Sequence, residues 1–177
     1  MIRKILRSGD PKLREISKPV AKIDSKILKL VQDLKETLAI QKDPEGVGLA
    51  APQIGKRLRV FVANYKSLNR VVINPEIIST KNKPRSTKVS RGKQEILEGC
   101  LSLPNYYGPL KRINLIKIKY LNEEGKETVE EFKGFDAQII LHEIDHLNGV
   151  LFLDRLLEQK KPLYKLEKDQ WEEVELI

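Results

Sequence analysis

Cysteine occurs once in this 177-residue chain and histidine twice. One cysteine cannot close an intramolecular disulfide, so a disulfide-stapled scaffold is excluded. Nor can one cysteine and two histidines fill the four positions of a closed structural zinc site. No stretch reaches the roughly 20 apolar residues of a membrane span. The opening Met1-Ile2-Arg3-Lys4-Ile5-Leu6-Arg7 also lacks the apolar region and small-residue cleavage site of a secretory signal. The expectation is a cytoplasmic protein without membrane attachment, in a reducing compartment that suits a free thiol. With 40% hydrophobic residues the chain can bury a real core, and residues 1–177 read as one domain.

Acids are missing from one stretch. Between Ser79 and Gln94 lie Lys81, Lys83, Arg85, Lys88, Arg91 and Lys93 with no acid among them, in a chain of net charge +8. This basic loop, 79–94, has two readings, a solvated surface segment or a contact for an anionic partner. No feature points to sequence-specific DNA binding.

The scarce residues are not scattered. Both histidines fall in His142-Glu143-Ile144-Asp145-His146, and the cysteine in Glu98-Gly99-Cys100-Leu101-Ser102. The run from Phe135 to Leu147, bounded by Gly134 and Gly149, predicts a helix over 134–148. His142 and His146 then lie one turn apart on one face, with Glu143 about 100° around the axis. That is the HExxH arrangement of two metal-binding imidazoles and a general base for a metal-bound water. The bland alternative is a histidine pair that caps or lines a core. A lone cysteine is more often a small buried hydrophobe than a ligand, and only its pairing with the histidine motif makes Cys100 the third donor. Three protein ligands leave a fourth position for water.

Elsewhere the chain reads as mixed α and β. Asp10-Pro11 caps a short turn through Leu13 and Ile16. Asp24 opens an amphipathic helix whose stripe is Ile27, Leu30, Val31, Leu34 and Leu38, ended by Asp43-Pro44-Glu45-Gly46. Strands are expected at 57–63, 70–78, 114–121 and 127–132, the last two joined by Asn122-Glu123-Glu124-Gly125. A short strand at 150–153 follows the metal helix, and the segment 154–177 closes as a strand pair around Lys168-Asp169-Gln170. The fold class is therefore α+β, antiparallel sheets surrounding a central metal-binding helix, with a second, N-terminal amphipathic helix.

Between helix and first strand, Gly46-Val47-Gly48-Leu49-Ala50-Ala51-Pro52-Gln53 is small and apolar with a single amide. No Lys-Ser/Thr follows its glycines, which argues against a phosphate loop. It suits close backbone approach to a substrate, with Gln53 as a side-chain donor.

These three strings, in this order, resemble the signature motifs of the peptide deformylase family, and the likeness runs from Arg3-Lys4-Ile5-Leu6 to Leu147-Asn148-Gly149-Val150-Leu151-Phe152. The resemblance implies that Cys100, His142 and His146 bind one divalent metal ion, iron(II), with zinc, nickel or cobalt as substitutes in preparations. It makes Glu143 the acid/base, and the Gln53 side chain and Leu101 backbone N–H the oxyanion donors. The implied reaction removes the N-formyl group from the initiator N-formylmethionine of nascent peptides, releasing formate. Val47, Gly48, Ile96, Gly99, Phe135 and Ile139 are the implied substrate-binding residues, the apolar ones around the methionine side chain. The basic loop is then a candidate ribosome contact. Two positions depart from the family pattern: Leu141 stands where Gln is usual and Asn105 where Gly is common.

Two rivals remain. A zinc metallopeptidase shares HExxH but needs a downstream third ligand, for which Glu167 is the one acid at about the right distance. A basic RNA-binding module with a structural metal would need a fourth protein ligand.

Overall fold

Asp24 turns an extended chain into a helix. Its carboxylate accepts from the backbone N–H of Lys26 at 2.9 Å and Ile27 at 3.0 Å, a cap worth about 1 kcal/mol. The helix α1 (Ser25–Ala39) follows, with Ile27, Leu30, Val31, Leu34 and Leu38 all buried. The computed structural model describes residues 1–42, 45–81 and 97–175. The expected helix stop at Asp43-Pro44 lies outside the described residues, as do most of the basic loop and Ile96. Within the described chain α1 ends at Ala39, before that signal is reached.

The strands are β1 (Gly48–Ala50), β2 (Val60–Tyr65), β3 (Leu68–Lys81), β4 (Glu98–Cys100), β5 (Leu103–Gly108), β6 (Leu115–Leu121), β7 (Glu127–Lys133), β8 (Leu163–Glu167) and β9 (Gln170–Val174). They form an antiparallel five-stranded sheet, β1-β2-β3-β6-β7, and an antiparallel four-stranded sheet, β4-β5-β8-β9. The helix α2 (Gly134–Leu147) carries the two histidines, and α3 (Phe152–Glu158) follows it.

At β2 the larger sheet is buried on both faces, which explains why this strand reads Val60-Phe61-Val62-Ala63 without polar alternation. Val60 and Val62 pack with Val71, Ile73 and the α1 stripe. Phe61 and Ala63 point the other way, into a second cluster with Ile116, Ile118, Phe132 and the α2 residues Ala137, Ile140, Ile144 and Leu147. Each fully buried Leu, Ile, Val or Phe contributes about 1.5–3 kcal/mol of transfer free energy. The site helix is thereby fixed against a sheet rather than suspended in a loop. Gly149 ends it with φ +73°, and a Cβ there would stand 2.4 Å from the Arg14 carbonyl oxygen. Both the left-handed backbone and the close packing call for glycine.

The expected strand at 150–153 is not formed: Val150 and Leu151 lie outside any element, and α3 begins at Phe152. Asp154 accepts from the Leu151 backbone N–H at 2.7 Å, a helix-opening contact, and Phe152 and Leu156 bury one face. A four-residue apolar run cannot by itself separate strand from buried helix. Residues 154–158 are accordingly helical, and the strand pair starts only at Leu163. Lys168 and Asp169, both at positive φ, join β8 to β9.

Candidate metal centre

Two elements converge. From α2 come His142 and His146, whose ring centroids lie 4.8 Å apart, and from β4 comes Cys100. The Cys100 Sγ is 3.2 Å from His146 Nε2, and one ligand atom from each of the three residues lies within 4.8 Å of the others. Donors held at 2.0–2.3 Å from one ion at tetrahedral angles stand roughly 3.3–3.5 Å apart. The cluster fits a single metal ion, with a soft thiolate and two imidazoles as its donor set.

The electrostatics agree with a ligand set. Burial alone would raise the Cys100 thiol, but the facing His146 and His142 outweigh it and hold its pKa well below the usual thiol range. Burial likewise opposes a charge on His142, and the neighbouring Cys100 and Glu98 overcome it, raising its pKa. The His142 Nδ1 lies 2.7 Å from Glu98 Oε1, so a proton on Nδ1 leaves Nε2 free to ligate.

Glu98 is a functional residue that the sequence analysis missed. It is buried, accepts from Arg112 Nε at 2.6 Å and Arg112 Nη2 at 2.7 Å, and accepts from Gln138 Nε2 at 3.0 Å. Burial pushes this carboxyl up, yet Arg112 and His142 together hold it well below the carboxylate range. Arg112 continues to Asp145 at 2.9 Å, and Asp145 accepts from Arg155 Nη2 at 2.7 Å. A chain of alternating charges thus ties β4, α2 and α3 together behind the ligands. Part of it was readable: Glu98 and Cys100 are two apart on one strand face, and Gln138 is one turn before His142.

Beside the ligands, Glu143 is buried and its Oε2 has no hydrogen-bond partner among the described residues. Burial, offset in part by the two histidines, raises its carboxyl to about 7. A Cβ on Gly48 would stand 2.3 Å from Glu143 Oε1, so only glycine lets β1 approach this carboxylate. Gln53 is buried rather than a surface amide. Its Oε1 accepts from the Ala50 N–H at 2.8 Å, which turns its Nε2 toward Ser102 Oγ at 3.2 Å and Cys100 Sγ at 3.6 Å.

A cavity of about 170 Å³ brings together Val47, Gly48, Gln53, Gly99, Cys100, Leu101, Phe135, Ile139, His142 and Glu143. His146 reaches the same cluster through Cys100. Both departures from the family pattern are accommodated. Asn105 lines the cavity at φ +67°, a left-handed conformation Asn tolerates better than most residues. Leu141 packs against the core between sheet and α2. Glu167, the ligand a metallopeptidase would need, is an exposed partner of Lys165 on β8 and stands outside the donor group.

An α+β fold around an HExxH helix, with a strand cysteine facing its two histidines, defines the class as a hydrolase whose three donors could hold a metal ion. The polypeptide deformylase family model matches residues 2–162. The chain belongs to the peptide deformylase family and is an enzyme of that family. Peptide deformylase 1 of Clostridium acetobutylicum is 43% identical over 159 residues, covering 90% of this chain and 97% of that protein. The crystal structure of the Thermus thermophilus peptide deformylase superposes with a TM-score of 0.77 at 41% identity, covering 90% of this chain and 88% of that one. The Synechococcus elongatus peptide deformylase, solved in complex with actinonin, gives a TM-score of 0.75 at 33% identity over 85% of this chain and 76% of that one. Among the described residues no helix is long and apolar enough to cross a membrane.

Proposed function

We propose that the chain removes the N-formyl group from the initiator N-formylmethionine of newly made polypeptides in the cytoplasm, releasing formate and a free amine. The observation that carries this reading is the buried Glu143 carboxylate, its Oε2 unpartnered among the described residues, beside three converging metal donors in one cavity.

Cys100, His142 and His146 would hold the ion, which we take to be iron(II), with zinc, nickel or cobalt as substitutes. When bound, such an ion supplies Lewis acidity, lowering the pKa of water and polarising the formyl carbonyl. Glu143 accepts the proton of the attacking water and returns it to the leaving nitrogen as the C–N bond breaks. The Gln53 Nε2 and the Leu101 backbone N–H donate to the formyl oxygen as it gains charge, each such donor being worth roughly 3 kcal/mol of barrier. Ser102 and Ala50 keep the Gln53 amide in the orientation this role needs.

The methionine side chain fills the apolar hole at Val47, Phe135 and Ile139; Ile96, which the resemblance also implies, lies outside the described residues. The short strands β1 and β4 are both sheet edges, so Gly48 and Gly99 can pair with an extended peptide. We read residues 1–177 as one catalytic domain and the basic loop 79–94 as a candidate contact for ribosomal RNA.

The test is formate release from formyl-Met-Ala-Ser by protein loaded anaerobically with iron(II). Turnover that disappears on chelation is expected. A metal-loaded protein that releases no formate would overturn the reading.

A further inference from the structure

The apolar part of the cavity is walled from two directions. Val47 comes from the segment that leads into β1, and Phe135 from the first turn of α2. That turn is backed by little of its own. A Cβ on Gly134 would meet nothing within 4 Å, so α2 starts in open space and the Phe135 ring depends on a neighbour from another element.

The end of β2 reaches both walls. Phe61, Ala63 and Tyr65 alternate onto the face of the larger sheet that packs against α2. Asn64, between the last two, donates its backbone N–H to the Val47 carbonyl at 2.9 Å. The Tyr65 ring meets Phe135 edge to face, with centroids 4.9 Å apart and planes at 69°. Lys66, the next residue, places its Nζ over the same Tyr65 ring, 5.0 Å from the centroid. Both contacts are made by the ring and neither by the hydroxyl. Tyr65 is half-buried and stands outside the cavity lining, one layer behind Phe135.

We propose that Tyr65 sets the width of the methionine hole, holding Phe135 at the spacing that admits a slender thioether chain and turns away an aromatic first side chain. This rests on the deformylase reading, which places the first side chain of the peptide between Val47 and Phe135. Tyr65 touches neither peptide nor reacting atoms, so it is a positioning residue that acts through Phe135. Without its ring, Phe135 is free to pivot into the space left behind, while Val47 stays pinned by the Asn64 N–H. The gap then opens on one side only. A methionine side chain loses van der Waals contact in the wider hole, whereas a phenylalanine side chain gains room. The two substrates therefore respond in opposite directions.

The experiment compares formyl-Met-Ala-Ser with formyl-Phe-Ala-Ser on wild type, Tyr65→Ala, Tyr65→Leu and Tyr65→Phe protein of equal metal content. Tyr65→Ala should lower the preference for the methionine peptide, as a ratio of kcat/KM, roughly two- to tenfold, the strength of one aromatic pair. The change for the methionine peptide should reside in KM, with kcat little altered. Tyr65→Phe keeps the ring and should restore the wild-type ratio. Tyr65→Leu keeps apolar bulk without the ring; it should lower the ratio as well, and it carries the test if the alanine protein does not fold. A merely structural role for the β2–β3 hairpin would slow both peptides alike and leave the ratio where it was. A ratio unmoved in the folded alanine or leucine protein, or one as low in Tyr65→Phe as in Tyr65→Ala, would overturn the role of Tyr65 while leaving the deformylase reading intact. No formate from either peptide with wild-type protein would overturn both.

Discussion

Replacing Glu98 by glutamine tests whether the charges behind the ligands hold the metal site. The substitution keeps the shape and removes the charge. Glu98 takes two hydrogen bonds from Arg112, one from Gln138 and one from His142. An amide nitrogen in place of one oxygen confronts the Arg112 N–H groups with another donor. Arg112, only 8% exposed, would then keep Asp145 as its one charged partner and share it with Arg155. Breaking a buried pair of this kind costs about 3–5 kcal/mol, and the surviving Asp145 contact places Glu98→Gln at the lower end, about 3 kcal/mol. Separately, loss of the carboxylate that orients His142 should weaken metal binding about 10- to 100-fold. Urea unfolding of the metal-free protein measures the first effect, and competition with a chelator of known affinity measures the second. Gln138→Ala serves as a control, since it removes one neutral donor and should cost only about 1 kcal/mol. A Glu98→Gln protein within about 0.5 kcal/mol of wild type, the size expected for surface changes, and with unchanged metal affinity would refute the reasoning.

Cys100→Ser should sharply lower metal content after dialysis, because a hydroxyl is a far poorer donor than a thiolate; unchanged stoichiometry would make Cys100 a core residue only. Gly48→Ala places a methyl where Glu143 Oε1 now lies, 2.3 Å away, so formate release should fall at least tenfold, by roughly the share of barrier a misplaced acid/base group forfeits, while the melting temperature changes little. Glu130 accepts from Arg70 Nε and Nη2 and from Tyr120, and Arg70 first of all lowers its pKa. Its stabilisation is therefore complete above the ordinary carboxylate pKa of about 4.3 and is lost as pH falls through the lower folded value. The stability gap between wild type and Glu130→Gln should accordingly be constant from pH 6 to 8, a window chosen well above that pKa of about 4.3, and close in acid; a gap that widened in acid would contradict the sign.

What the sequence discloses and what it hides follow from the range of the interactions. The α1 stripe is a local periodic signal, and Ile27 through Leu38 are buried on the face it marks. The HExxH spacing is equally local, since one helical turn brings His142 and His146 together whatever surrounds them. Cys100 was reachable only by scarcity, as the one remaining soft donor. Strands β1 and β4 span three residues each and contain glycine, too short for alternation to register. The Glu98–Arg112–Asp145–Arg155 chain joins residues up to 57 apart, Glu98 to Arg155, and nothing in their separate neighbourhoods distinguishes them from surface charges. The run Val150-Leu151-Phe152-Leu153 misled because only the Asp154 side chain, bonding back to Leu151, selects helix over strand.

Formate release and metal content measured together on Glu143→Gln protein test the central claim most directly, that a carboxylate beside the metal donors moves the protons of hydrolysis. The account predicts one metal ion per chain, as in wild type, and a rate on formyl-Met-Ala-Ser lower by on the order of 10² to 10⁴. Full metal occupancy with a rate within a few-fold of wild type would contradict it.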